Sequence, residues 1–204
     1  MRTRAGIAAA AVVSAMALTA LAPTGASSGT CGGGTSGGTA ITPTNCNTGR
    51  YVNPFRHQDW YAGRIDMGVD YMPNHRYPLR AIGKAKIIGS DRHSSWPGSH
   101  FIWYKLLRGD HKGDIIYVAE TLKRLVPKGT IVRPGDRIAT ALPHGTGIEI
   151  GWANRRGETR ASRCYSEGME THSGREMARF LRELGADVIK KVRSAPDYPT
   201  GKRC

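Results

Sequence analysis

Four acidic side chains stand at positions in the chain where they could share one groove. Asp66 and Asp70 are separated by Met-Gly-Val, Glu149 stands between two isoleucines, and Glu120 closes an apolar segment. Carboxylates that converge can bind a hard cation such as calcium or magnesium. Crowding of like charges also raises the pKa of at least one acid, which can supply an acid/base pair.

The order of motifs along the chain resembles a known family. The motifs are Asp66-Met-Gly-Val-Asp70, Tyr77-Pro-Leu-Arg-Ala-Ile, Ile116-Tyr-Val-Ala-Glu120, Val126-Pro-Lys-Gly-Thr-Ile-Val-Arg-Pro-Gly and Gly147-Ile-Glu149. In this order they resemble the β-domain of the lysostaphin-like, or LytM-type, peptidoglycan endopeptidases. The resemblance implies a zinc site built from His-x-x-x-Asp and His-x-His, with further catalytic histidines. It also implies peptidoglycan as the partner.

The chain departs from that family at almost every functional position, and only Asp70 is unchanged. The departures are Asp66 for the first histidine, Gly147 and Glu149 for the His-x-His pair, and Ala119 or Glu120 for the remaining histidine. By their place in the resembled motifs, Asp66, Asp70 and Glu149 are candidate metal ligands, and Glu120 and Glu149 are candidate catalytic residues. Zinc prefers nitrogen and sulfur donors, whereas three carboxylates suit a hard cation such as calcium. We expect no bound cofactor and no tightly bound zinc, with a hard cation such as calcium as the alternative.

The acids have simpler roles as well. They can bind backbone amides, or arginines such as Arg64 and Arg80. A carboxylate pair for glycoside cleavage would need a separation of about 5–10 Å across an open cleft. His144 is the best-placed of the histidines to join the acids, and Trp96, beside Pro97 and Gly98, is expected at a groove rim. The predicted groove contains Asp66, Asp70, Trp96, Glu120, His144 and Glu149.

Short apolar runs broken by Gly, Pro and Asp predict the elements that must position this groove. They favour a mainly β fold, an antiparallel β-sandwich or open barrel of the lysostaphin-like type with one C-terminal helix. The predicted strands are Leu79–Ile82, Ala85–Ile88, Phe101–Leu107, Asp114–Ala119, Thr130–Val132, Arg137–Leu142 and Gly147–Trp152.

One amphipathic segment predicts the helix. Met177, Phe180, Leu181 and Leu184 share a helical face, and Gly185 can end the helix. The pattern Ser173-Gly-Arg-Glu176 has the form of a capping box, which places the helix start at Ser173. The alternation of Trp152 with two isoleucines along its strand predicts a core position for that ring.

The N-terminal residues indicate export. Residues 1–26 carry two arginines, an Ala/Val-rich stretch and small residues typical of a secretory signal peptide. Residues 27–50 form a Gly/Ser/Thr-rich flexible leader, 51–158 the β-domain, and 159–204 a helix with a tied tail. In an exported chain the four cysteines, Cys31, Cys46, Cys164 and Cys204, predict two disulfides. Three pairings are open, and the nearest-neighbour pairing joins Cys31 to Cys46 and Cys164 to Cys204.

Charge and composition restrict the partners. The formal net charge of the 204 residues is +14, which favours anionic wall polymers. No nucleic-acid-binding signature is present, and after signal cleavage no segment is suited to membrane insertion. We expect a secreted, cell-wall-associated monomer that binds peptidoglycan through a degenerate endopeptidase-like domain. The alternatives are an active peptidoglycan hydrolase, metal-dependent or carboxylate-based, and a basic exported protein that binds another polyanion.

Overall fold

A computed structural model describes residues 50–161, 165, 166 and 168–189. The predicted signal peptide, most of the leader and all four cysteines, with both disulfide pairings, lie outside these residues. So does the tail from residue 190 onward. Within the described residues, no helix is both long and apolar enough to cross a membrane.

The described residues form ten strands and one helix. They are β1 (Trp60–Ile65), β2 (Val69–Pro73), β3 (Tyr77–Arg80), β4 (Ala85–Asp91), β5 (His100–Leu106), β6 (Ile115–Glu120), β7 (Leu122–Lys123), β8 (Ile131–Val132), β9 (Arg137–Ala141), β10 (Ile148–Ala153) and α1 (His172–Glu183). Seven strands form one sheet in the order β1-β2-β10-β6-β5-β4-β8, and three form a second sheet in the order β3-β9-β7. Every pairing between the strands is antiparallel. The prediction of a mainly antiparallel β fold with one helix is confirmed.

The centre of the large sheet is buried on both faces. Every residue of β6 and β10 is buried, which explains why the sequence of β6 is an apolar run rather than a strict alternation. On one face, Ile148, Ile150 and Trp152 of β10 join the main hydrophobic core. On the other face, a smaller cluster forms around Phe101, Ile115, Tyr117, Ala119 and Ala153. The acidic Glu149 therefore belongs to a strand that is enclosed on both sides.

Helix α1 packs against β10. Phe180 stacks on Trp152 with a centroid distance of 5.4 Å, and Met177 and Leu181 are fully buried in the same core. Trp152 is only 3% exposed, so the prediction that it fills the core is confirmed. The amide of Gly185, whose φ is +78°, donates to the carbonyl of Arg182 at the helix end.

The predicted start of the helix is wrong by two residues. The N-cap is Thr171, whose side chain accepts a hydrogen bond from the amide of Gly174. Ser173 lies inside the first turn, and its buried hydroxyl has no hydrogen-bond partner within the described part of the chain. Glu176 pairs instead with His172 at 3.2 Å. The hydroxyl of Thr171 also donates a hydrogen bond to the backbone carbonyl of Asp66. This tertiary contact favours Thr171 as the cap, and local sequence spacing does not reveal it.

Candidate functional site

Strand register brings three of the predicted acids together. Glu149 on β10 pairs directly with Asp70 on the neighbouring strand β2, so both side chains leave the same face of the sheet. Asp66 reaches them from the turn between β1 and β2. One carboxylate oxygen from each of Asp66, Asp70 and Glu149 lies within 4.8 Å of the other two. We call these three residues the acid cluster.

Asp66 is fixed by the segment that leads into α1. The backbone amide of Thr171 donates to its carbonyl oxygen at 3.0 Å, and the hydroxyl of Thr171 donates to the same oxygen at 2.7 Å. A Cβ atom added to Gly174 would lie 2.1 Å from that oxygen, so only glycine permits the approach of the helix. The hydroxyl of Tyr165 donates to Asp66 Oδ2 at 3.0 Å. Asp66, which is fully buried, is thus held from both its backbone and its side chain.

Arg64 supplies the positive charge of the acid cluster. Its Nε lies 2.9 Å from Asp66 Oδ2 and donates to Asp70 Oδ2 at 3.0 Å. Of the two arginines that the sequence offers as partners of the acids, Arg64 binds the acid cluster. Arg80 donates instead to the carbonyl of Gly135.

A buried tyrosine supports the third acid. The Tyr117 hydroxyl donates a hydrogen bond to Glu149 Oε1. The Tyr117 ring lies across Gly151, where an added Cβ would be 2.5 Å from the ring. Glycine two residues after Glu149 thus makes room for the ring that reaches this carboxyl group.

Burial and crowding favour protons on two of the acids. Burial is the main reason that the pKa of Asp70 rises from 3.8 to about 7, and repulsion from Asp66 adds to it, while Arg64 opposes the rise. Burial also raises the pKa of Glu149 well above its ordinary value, with repulsion from Asp66 and Asp70 as further causes. The acid cluster therefore holds protons near neutral pH that ordinary carboxylates would have lost.

A groove opens beside the acid cluster, with a volume of about 720 Å³. Its walls combine acids, an arginine, aromatic rings and methionines, contributed by Gly63, Arg64, Met67, Asp70, Tyr71, Met72, Ser95, Trp96, Pro97, Glu120, Thr146, Glu149 and Tyr165. The half-buried Trp96 is stacked on Phe101 at 5.8 Å between centroids. Glu120 is 8% exposed and has a φ of 85°, a backbone conformation that glutamate rarely adopts. Such conformations concentrate at functional sites.

The predicted groove residues fall into two groups. Asp70, Trp96, Glu120 and Glu149 line the groove, and the buried Asp66 lies behind it in the acid cluster. His144 is exposed and is not among the residues that line the groove. All seven histidines of the chain are described, and none belongs to the acid cluster or the groove wall.

Sequence reasoning did not find Tyr117, Tyr165 or Thr171. Each contacts an acid from a distant part of the chain: Tyr117 is 32 residues from Glu149, Tyr165 is 99 residues from Asp66, and Thr171 is 105 residues from it. The only local signal was the glycine at position 151, which marks a close approach in a strand. No pattern around Asp66 pointed to its tyrosine or threonine partner.

The acid cluster does not fit zinc. Its three donors are carboxylates, whereas zinc sites in proteins are built mainly from histidine and cysteine. The guanidinium of Arg64 also lies against two of the three donors. No chemical step through a bound zinc ion is therefore derived for this site.

Comparisons with known proteins give structural likeness only. No family model matches the sequence, and no curated protein matches it. The solution structure of lysostaphin has 15% sequence identity and a TM-score of 0.47, covering 74% of this chain and 61% of the lysostaphin chain. Lysostaphin from Staphylococcus simulans, an antimicrobial peptidase, has 16% identity and a TM-score of 0.44, with the same coverage.

A third similar structure comes from Ruminococcus gnavus ATCC 29149. It is assigned as a glycyl-glycine endopeptidase, LytM, and has 16% identity and a TM-score of 0.47 over 71% of this chain and 64% of its own. These are proteins of the family that the sequence motifs resemble. The chain spans about three fifths of the length of the lysostaphin and LytM chains it matches.

Proposed function

We propose that this protein is a secreted, cell-wall-associated protein whose groove binds peptidoglycan without cleaving it. The observation that carries the proposal is the composition of the groove at the positions where the resembled family has histidines. Asp66 and Glu149 stand at two of these positions, and their carboxylates are bonded to Arg64, Tyr117 and Tyr165. The groove has a volume of about 720 Å³, and the histidines that would activate water in that family are replaced.

The geometry of the acid cluster disfavours hydrolysis. Glycoside hydrolases hold their two carboxyl groups about 5–5.5 Å apart when they retain configuration, and about 6.5–9.5 Å apart when they invert it. Oxygens of Asp66, Asp70 and Glu149 lie within 4.8 Å of one another, closer than the separation of an inverting pair, and the guanidinium of Arg64 lies against two of them. Asp66 and Glu149 are also almost completely buried. These acids serve the architecture of the groove rather than an attack on substrate.

The open part of the groove has features that suit binding to a wall fragment. Trp96 and Tyr165 present aromatic surface, which can pack on the face of a sugar or on an apolar stem side chain. Asp70 and Glu120 contribute acceptors for amide and hydroxyl hydrogens. A peptidoglycan fragment offers amides, hydroxyls and apolar faces together, so the walls of the groove are chemically complementary to it.

Co-sedimentation with purified peptidoglycan tests this proposal. We expect the wild-type protein to pellet with the polymer, and Glu120→Gln and Trp96→Ala to pellet several-fold less. Tyr61→Ala is the matched control, because Tyr61 is 65% exposed on edge strand β1 and does not line the groove. Equal pelleting by all four proteins, or no pelleting of the wild type, would reject the groove as the binding site.

An active hydrolase is the second candidate, and one observation favours it. Asp70 has a pKa near 7 and lines an open groove, as a general acid or base would. Soluble fragments released by the wild type but not by Asp70→Asn would select this function over simple binding. The third candidate, binding to another polyanion, predicts pelleting that disappears as salt increases and is indifferent to Glu120→Gln.

A further inference from the structure

Strand β1 carries an irregularity at the residue that reaches the acid cluster. Ala62 pairs with Tyr71 and Ile65 pairs with Val69, so Gly63 and Arg64 together lie opposite a single residue of β2, Asp70. Two residues opposite one is the pattern of a β-bulge, which redirects the side chain of the longer strand. Without the extra residue, the alternation of β1 would not place Arg64 as it lies here.

Gly63 makes this bulge possible. A Cβ atom at position 63 would lie 2.8 Å from the Cβ of Asp70, so any larger residue would push β1 away from β2. The close approach brings Arg64 Nε within 3.0 Å of one oxygen from each of two acids, Asp66 and Asp70. The position of the guanidinium is thus set by the backbone of the strand and not by the side chain alone.

We infer that Arg64 is the built-in cation of the acid cluster and excludes divalent metal ions from it. A calcium or magnesium ion binds carboxylate oxygens at about 2.0–2.6 Å. An ion that bridged Asp66 Oδ2 and Asp70 Oδ2 would need the space that Arg64 Nε occupies between the same two oxygens. The positive charge of the guanidinium repels an incoming cation as well.

This inference goes beyond the proposed function and does not depend on which ligand the groove binds. The acids are held together by a side chain from their own domain, so metal removal leaves the groove intact. The acid cluster is also a latent cation site. Removing the guanidinium leaves three carboxylates within 4.8 Å of one another with no cation between Asp66 and Asp70.

Terbium luminescence tests the inference, because Tb³⁺ is a hard cation that prefers oxygen donors. Tyr117 and Tyr165 donate to acids of the cluster, so a bound ion would be sensitised by excitation of these rings. We expect no saturable emission from the wild type or from Arg64→Lys, which keeps a positive charge. Arg64→Ala and Arg64→Gln should both give saturable emission, with half-saturation at least roughly tenfold below the highest Tb³⁺ concentration at which the wild type stays dark, because a repelling charge is gone.

Two controls locate the ion. The double variant Arg64→Gln with Asp70→Asn should lose the emission, since one of the three donors is no longer charged. Arg160→Ala removes a comparable ion pair, 2.8 Å from Asp114, and should stay like the wild type. Circular dichroism checks that each variant is folded, and Arg64→Gln keeps most of the side chain in case Arg64→Ala does not fold.

Three results would overturn the inference. The first is saturable Tb³⁺ binding by the wild type that Asp70→Asn abolishes. The second is stoichiometric metal in the purified wild-type protein that a chelator removes. The third is a folded Arg64→Gln protein that binds Tb³⁺ no better than the wild type. None of these results depends on peptidoglycan binding, so the proposed function is tested separately.

Discussion

Replacement of Asp70 by asparagine is expected to flatten the pH dependence of stability in this domain. Burial and repulsion raise the pKa of Asp70 from 3.8 to about 7, so the folded protein holds a proton that the unfolded chain releases near pH 4. Stability from this proton is fully present below pH 4 and is lost as pH rises toward 7. The difference between the folded and unfolded pKa of Asp70 corresponds to a loss of unfolding free energy on the order of 4 kcal/mol between pH 4 and pH 7. Glu149, whose pKa is also raised, adds a loss of the same sign.

Urea unfolding between pH 4 and pH 8 measures this effect. The free energy of unfolding of the wild type should fall across the range, and that of Asp70→Asn should fall much less, because asparagine mimics the protonated acid at every pH. Asp114→Asn is the matched control. Although burial opposes it, hydrogen bonds from Arg160 and His111 lower the pKa of Asp114, so its stabilisation is lost only as pH falls. A wild-type stability that is flat or rises with pH, or an unchanged slope in Asp70→Asn, would refute the electrostatic argument.

Three further substitutions test the contacts that hold the acids. Thr171→Ala should lower the free energy of unfolding in urea by about 1–2 kcal/mol, because it removes the helix cap and a hydrogen bond to the carbonyl of Asp66. Ser173→Ala is the control and should lower it less. The reverse order would restore Ser173 as the cap. Gly174→Ala should lower the free energy of unfolding by about 1–3 kcal/mol or prevent folding, since its Cβ would lie 2.1 Å from the Asp66 carbonyl oxygen. Near wild-type stability would show that the helix is free to shift. Tyr117→Phe should cost about 1–3 kcal/mol by leaving a buried acceptor unpaired, and no loss in unfolding free energy would show that this hydroxyl is dispensable.

Most of the strands were predictable from local pattern. Runs such as Phe101–Leu107 and Arg137–Leu142 are apolar and bounded by turn residues, and they correspond to β5 and β9 within a residue or two. Strands β1 and β2 were not predicted, because the polar residues between Trp60 and Pro73 were interpreted as a motif rather than as paired strands. Edge position and the bulge in β1 disturb the alternation that identifies a strand.

The candidate site was predictable only as far as strand order determines it. Motif order implied that Asp70 and Glu149 would meet, and antiparallel pairing of β2 and β10 places them opposite each other. The side chains that hold the acids come from separate parts of the chain, as Tyr165 does, and their approach depends on tertiary packing. The bulge that directs Arg64 arises from a two-to-one pairing, which single-strand periodicity does not contain.

The central claim is that the groove binds a wall polymer and does not cut it. The most direct measurement incubates the wild-type protein with purified peptidoglycan, with and without added chelator, and follows both the pelleted protein and the soluble fragments by mass spectrometry. The account predicts protein in the pellet and no fragments above those of a protein-free sample in either condition. Soluble fragments that accumulate with time and disappear in Asp70→Asn would contradict it.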